Sequence, residues 1–132
     1  MRTDQINRVR LRLRNKMRSI KRLVILETPY KGDNWDKTKL NIGYARKCMR
    51  DCFMREEYPF ASHLLYTQEG ILDDTNPEER KLGIEAGLSW GECADKTVVY
   101  TDFGISNGMK QGIQRARECG RDIEMRSLKN KM

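Results

Sequence analysis

Apolar positions recur along this chain with two different periods. In the first 22 residues Ile6, Val9, Leu13, Met17 and Ile20 stand three or four apart among arginines, which predicts one amphipathic helix capped at Thr3 or Asp4. Val9, Leu11 and Leu13 also alternate as a strand would, but the length of the pattern favours the helix. Leu23–Leu26, a short apolar run, reads as a strand closed by the loop Thr28-Pro29-Tyr30-Lys31-Gly32. From about Lys39 to Glu56, Leu40, Tyr44, Cys48, Cys52 and Phe53 follow a helical period. A second strand is predicted near Pro59–Leu65, running into a loop through Gln68, Gly70, Asp73 and Asp74. Asn76-Pro77-Glu78-Glu79 is a helix start: a cap, proline at the first position, then two acids at the positive end. That helix should reach Cys93. Thr97–Tyr100 is a β-branched strand, Asp102–Gly108 a loop, Met109–Cys119 a helix and Asp122–Arg126 a last strand. Strand–helix–strand alternation predicts a three-layer, Rossmann-like α/β domain with a parallel sheet of about four strands, preceded by a basic helix.

Composition narrows the classes. With 132 residues the chain holds one domain of ordinary size, read as an arm over 1–22 and an α/β body over 23–132. No apolar stretch approaches the roughly 20 residues needed to span a bilayer, so no membrane partner is expected. The basic N-terminus lacks the apolar core of a secretory signal, which points to the cytoplasm. The net charge of +7 is unevenly placed: residues 1–22 carry nine basic side chains against Asp4, whereas the rest carries 17 basic and 18 acidic groups. The body is therefore not itself a nucleic-acid groove. Cys48, Cys52, Cys93 and Cys119 lack metal-knuckle spacing and read as buried, reduced thiols; neither metal nor cofactor is expected. Gly83, Gly87 and Gly91 form a bare helical ridge suited to close approach by the protein's own sheet or by another subunit.

In a sheet of this kind ligands bind beyond the carboxyl ends of the strands, where the strand order reverses. The loops landing there are Thr28–Gly32, Ser62–Asp74 and Thr101–Gly108. Ser106-Asn107-Gly108 opens a helix whose N–H groups can hold an anion, although the same residues serve as ordinary caps. His63, the sole histidine, is placed at a strand end, as a ligand contact or a structural hydrogen-bonding residue. Asp73 and Asp74 either orient hydroxyls or make a solvated turn. Tyr30 and Tyr66 can stack on a base, Tyr66 equally closing the core. Glu85 is either a surface carboxylate or a buried acid.

The segments "VILETPYKG", "YARKCMRDCFMREEYPFASHLLYTQ", "LDDTNPEERKLGIEAGL" and "CADKTVVYTDFGISNGMKQGIQRA" resemble a family of small bacterial and phage proteins similar to nucleoside 2-deoxyribosyltransferases. The resemblance covers roughly Leu23 to Glu124. It implies a Pro-aromatic turn after the first strand, matched by Pro29-Tyr30, and an aspartate-bearing loop, for which Asp102 is the candidate. It also implies a nucleophilic glutamate one turn after a glycine at a helix start, but four residues beyond Gly108 stands Gly112. Glu85 is the candidate substitute. The expected function is a nucleotide- or nucleoside-binding protein, either a non-catalytic binder of a nucleotide signal or an N-glycosidic-bond enzyme with relocated chemistry. The expected contacts are Thr28, Pro29, Tyr30, Gly32, His63, Tyr66, Asp73, Asp74, Asp102, Ser106, Gly108 and Met109. The two open edges and uncovered helix surface of a four-stranded sheet predict a homo-oligomer, with contact through the Gly83/Gly87/Gly91 helix or the arm. If the protein is phage-encoded, a host-cytoplasmic location is expected. The alternative is a nucleic-acid-associated protein that binds through Arg8, Arg10, Arg12, Arg14, Lys16 and Arg18.

Overall fold

The computed structural model describes residues 2–18 and 22–129, with side chains described at 2–13 and 22–129. Its elements run α1 (Thr3–Arg18), β1 (Leu23–Glu27), α2 (Trp35–Met54), β2 (Tyr58–Phe60), α3 (Ser62–Leu65), α4 (Pro77–Gly91), β3 (Lys96–Tyr100), α5 (Asn107–Glu118) and β4 (Asp122–Arg126). The four strands form one all-parallel sheet in the order β2-β1-β3-β4, so the fold is the three-layer α/β class. No helix among the described residues is long and apolar enough to cross a membrane.

Two boundaries differ from the pattern. The helix predicted from Lys39 starts at Trp35, because Asn34 caps it by accepting a hydrogen bond from the Lys37 N–H at 2.8 Å. Trp35 and Leu40 face outward and so conceal the start. The strand predicted over Pro59–Leu65 ends at Phe60. Leu64 and Leu65 donate their N–H groups to the Ala61 carbonyl at 3.0 and 3.2 Å, which turns Ser62–Leu65 into the one-turn helix α3. His63 therefore sits in a helical turn beyond the strand end.

Side chains alternate across the strands, giving the sheet two unlike faces. Val24, Leu26, Val98 and Tyr100 point to one face and pack with Tyr44, Cys48 and Cys52 of α2. The Tyr100 hydroxyl donates to Asp51 at 2.6 Å, while Arg126 meets both Glu57 oxygens at 2.7 Å and Lys96 meets Glu57 at 2.8 Å. Burial alone would raise the Glu57 pKa, but these two cations hold it below its ordinary value. On the other face Val99 packs with Met109 and Ile113 of α5.

The glycine ridge of α4 turns inward. A Cβ at Gly87 would overlap Ser62, one at Gly83 would press on Leu72, and one at Gly91 would touch Ile25. Its close approach is thus to its own chain, one of the two readings that the ridge allowed. Cys48 and Cys52 are buried as expected, but Cys93 and Cys119 are exposed; all four are free thiols. The exposed pair follows the last helical turns, where the chain bends through solvent. Val9, Leu11 and Leu13 of α1 are exposed by 45%, 55% and 58%, so these three side chains are not part of the core. Arg14, Lys16 and Arg18 have side chains outside the described residues.

Candidate functional site

The strand order reverses between β1 and β3: the chain leaves β1 for one edge and returns past it to build the other. A pocket of about 560 Å3 opens there, at the carboxyl ends of the strands and beneath α4 and α5. Ile25, Phe60, Ile84 and Leu88 give it an apolar wall. Thr28, Tyr30, Gly32, His63 and Asp74 supply polar groups from the β1, β2 and α4 sides, and Ser106–Met109 close it from α5. Three further glycines, Gly87, Gly91 and Gly112, line it as well, their bare positions taken up by Ser62, Ile25 and Glu27.

Glu27, the last residue of β1, holds the site's least expected group. It follows Leu26 in the alternation and so points to the pocket face, where its carboxyl lies against Gly112 of α5. A Cβ at position 112 would overlap that carboxyl, with Oε1 at 2.8 Å. Glycine at 112 is therefore what admits Glu27. No described side chain hydrogen-bonds the carboxyl. Burial pushes its pKa up to about 8, against the opposing pull of the Arg121 guanidinium. At neutral pH it is largely a protonated acid, able both to donate and to accept. Arg121 is itself placed by hydrogen bonds to the Gly91 carbonyl at 2.5 Å and to Thr97 Oγ1 at 3.0 Å.

His63 Nε2 lies 2.7 Å from Oγ1 of the buried Thr28, a contact that ties α3 to the end of β1. Burial lowers the histidine pKa to about 4, so the imidazole is neutral at physiological pH. The Tyr30 ring meets His63 edge-on, with centroids 6.3 Å apart, and the Tyr30 carbonyl accepts from Asn41 at 2.9 Å. The N-terminus of α5 faces the same space. Ser106 caps it by accepting from the Met109 N–H at 3.3 Å, and Ser106 N–H approaches Met109 Sδ at 3.4 Å. The Asn107 and Gly108 N–H groups take no partner among the described residues, as is normal for the first helical positions.

Most sequence-predicted contacts thus meet in one cavity: Thr28, Tyr30, Gly32, His63, Asp74, Ser106, Gly108 and Met109. Others do not. Pro29 is buried beside the pocket without lining it. Tyr66 lines a smaller adjoining recess of about 60 Å3 with Leu72 and Glu79. Asp73 is exposed and makes a turn, accepting from Thr75 N–H at 2.9 Å and Thr75 Oγ1 at 2.6 Å, which lowers its pKa. Asp102 serves the fold. Burial would raise its pKa, yet donors from Ser127 at 2.6 Å, Tyr44 at 2.5 Å and the Leu128 N–H at 3.0 Å hold it well below the carboxylate range. It ties the chain after β4 to α2, with no oxygen turned to the pocket. Glu85 is exposed on the side of α4 opposite the glycines, so it is not the substitute carboxylate. Glu27, Arg121 and Phe60 were missed. A carboxylate on the last residue of a strand that feeds a ligand loop was the available signal for the first.

Among the described residues no group of three His, Cys, Asp or Glu is placed to hold a metal ion. The molecule is thus an α/β domain with a ligand-sized pocket at the switch point of a parallel sheet. Residues 22–126 match the profile of the family described as "Domain of unknown function (DUF7768)", and the chain belongs to that family. No curated protein and no solved structure matches it.

Proposed function

We propose that the body binds a nucleotide or nucleoside in the switch-point pocket. The observation that carries this reading is the pairing of free N–H groups at the start of α5 with an apolar wall across the same cavity. An anionic group suits the first and a planar base the second, with the Tyr30 ring beside it. The resemblance to the deoxyribosyltransferase-like family supports the same ligand class. That resemblance also asks for a carboxylate near position 112, and Glu27 puts one in that space. An N-glycosidic-bond enzyme with relocated chemistry is therefore a version of this reading, alongside a non-catalytic binder.

Calorimetry against nucleosides and nucleotides tests it. Wild-type protein should bind at least one, and His63→Ala and Tyr30→Ala should each weaken that ligand about tenfold, the size of one or two lost contacts. Wild-type affinity in both variants removes this pocket from consideration. Release of free base during the same incubation identifies the enzyme; retention of intact ligand identifies the binder.

The arm supports a second reading as a nucleic-acid contact. Arg8, Arg10 and Arg12 are exposed on α1, and Arg8 pairs only loosely with Asp4, at 3.9 Å. Salt-dependent affinity for duplex DNA that disappears with residues 1–20 is the expected signature.

A further inference from the structure

Glu27 is unexplained by the fold. Its carboxyl lines the pocket half-buried and without a described hydrogen-bond partner, whereas the two fully buried acids are held by their own chain: Glu57 by Arg126 and Lys96, Asp51 by Tyr100 and Arg55. The fold nevertheless makes room for it by keeping position 112 bare. A polar group held in a cavity and left unpaired by its own chain is available to a ligand.

Its position along α5 says which part of a ligand it meets. Gly112 lies four residues beyond Gly108, about 6 Å down the helix axis from the free N–H groups. An anion at those groups and a contact at Glu27 are thus separated by about one helical turn. That is the span of a sugar ring between its 5′-phosphate and its secondary hydroxyls. The apolar wall of Ile25, Phe60, Ile84 and Leu88 remains for the base. At that distance from the phosphate stands the sugar, whose vicinal diol offers two adjacent hydroxyls, each able to donate or accept, to the two oxygens of one carboxyl. Building on the nucleotide reading above, we infer that the site takes ribonucleotides, and that Glu27 reads the sugar through hydrogen bonds between its carboxyl and the 2′- and 3′-hydroxyls. Glu27 is then a specificity-determining residue, and 2′-deoxyribonucleotides bind less tightly because they leave one oxygen of its carboxyl without a partner.

The test is calorimetric titration of the full chain with the four ribonucleoside 5′-monophosphates and their four 2′-deoxy counterparts. For the base that binds best, the ribonucleotide should bind about tenfold tighter than its deoxy partner, the factor set by one hydrogen bond. Glu27→Leu should reduce that ratio to about twofold or less, weakening the ribonucleotide more than the deoxynucleotide, which loses only its 3′ contact. Gly112→Ala does the same by another route, since its methyl displaces the carboxyl without altering residue 27; thermal melting confirms that each variant is folded. Equal binding of both sugars by wild type, or a preference that survives both variants, overturns the assignment and leaves the nucleotide pocket standing. Binding of none of the eight overturns the nucleotide reading, and this inference falls with it.

Discussion

The two faces of the sheet obey opposite rules. Beneath α2, Val24, Leu26, Val98, Cys48 and Cys52 are fully enclosed, and the polar and charged groups there answer one another at 2.6–2.8 Å. Beneath α4 and α5 the same strands present Ile25 and Glu27 to a cavity, glycines line its wall, and two titratable groups, Glu27 and His63, face it half-buried without a countercharge bonded to either. One face holds the domain together; the other spends part of that stability on an open, polar, ligand-sized space. Because the strands alternate, one five-residue segment such as β1 serves both ends.

The contrast is broken most severely at Arg126. Arg126→Ala leaves Glu57 buried and short of its main cation and should cost about 3–5 kcal/mol in urea or guanidinium unfolding. Ligand affinity per folded molecule should be unchanged. A parallel fall in affinity would mean that the two faces are mechanically coupled.

On the pocket face the expected effect is smaller and of opposite sign. Glu27→Leu should stabilise the protein at pH 8 by about 1–3 kcal/mol, since a desolvated acid is exchanged for an apolar side chain. The native pKa of about 8 lies above the ordinary value of 4.5, so the folded state binds the extra proton between those limits. Glu27 therefore lowers stability progressively as pH rises from 4.5 to 8, and the advantage of Glu27→Leu should shrink towards pH 5. His63 acts the other way. With its pKa lowered to about 4 from 6.5, it lowers stability as pH falls through that window. Melting curves from pH 4.5 to 8.5 check both slopes, and an advantage independent of pH would show that Glu27 is not desolvated in the native state.

The smallest effect belongs to the arm. Deleting residues 1–20 should shift the melting temperature by no more than about 2 °C, as expected when exposed residues with little packing are removed. Loss of cooperative unfolding would instead place Ile6, Val9 and Leu13 in a structural contact.

The sequence carried the fold class because its signals are local. Asn76-Pro77 caps α4 as read, with Asn76 accepting from the Glu78 and Glu79 N–H groups at 3.0 and 3.2 Å, and the β-branched runs became β1 and β3. The loops converging on the pocket were legible for the same reason. What escaped depends on distant partners. Glu27 looks like the polar end of a strand, and only Gly112, far along the chain, gives it somewhere to go. Asp102 looks like a ligand residue in a glycine-rich loop, and only Tyr44 and Ser127 reveal it as a clasp. His-Leu-Leu after Ala61 fits either period, and the backbone settled it as a helical turn.

The register of β1 has a consequence in time. Ile25 is paired on one side with Phe60 and on the other with Thr97, so the first strand made is among the last to be completed. Until β3 is in place, Leu23–Glu27 has an open edge and an uncovered apolar run. Such late, non-local pairing slows folding and prolongs exposure to other chains. Substitutions that weaken β3 should therefore appear first as lost soluble yield during synthesis, before any change is seen in the protein that has already folded.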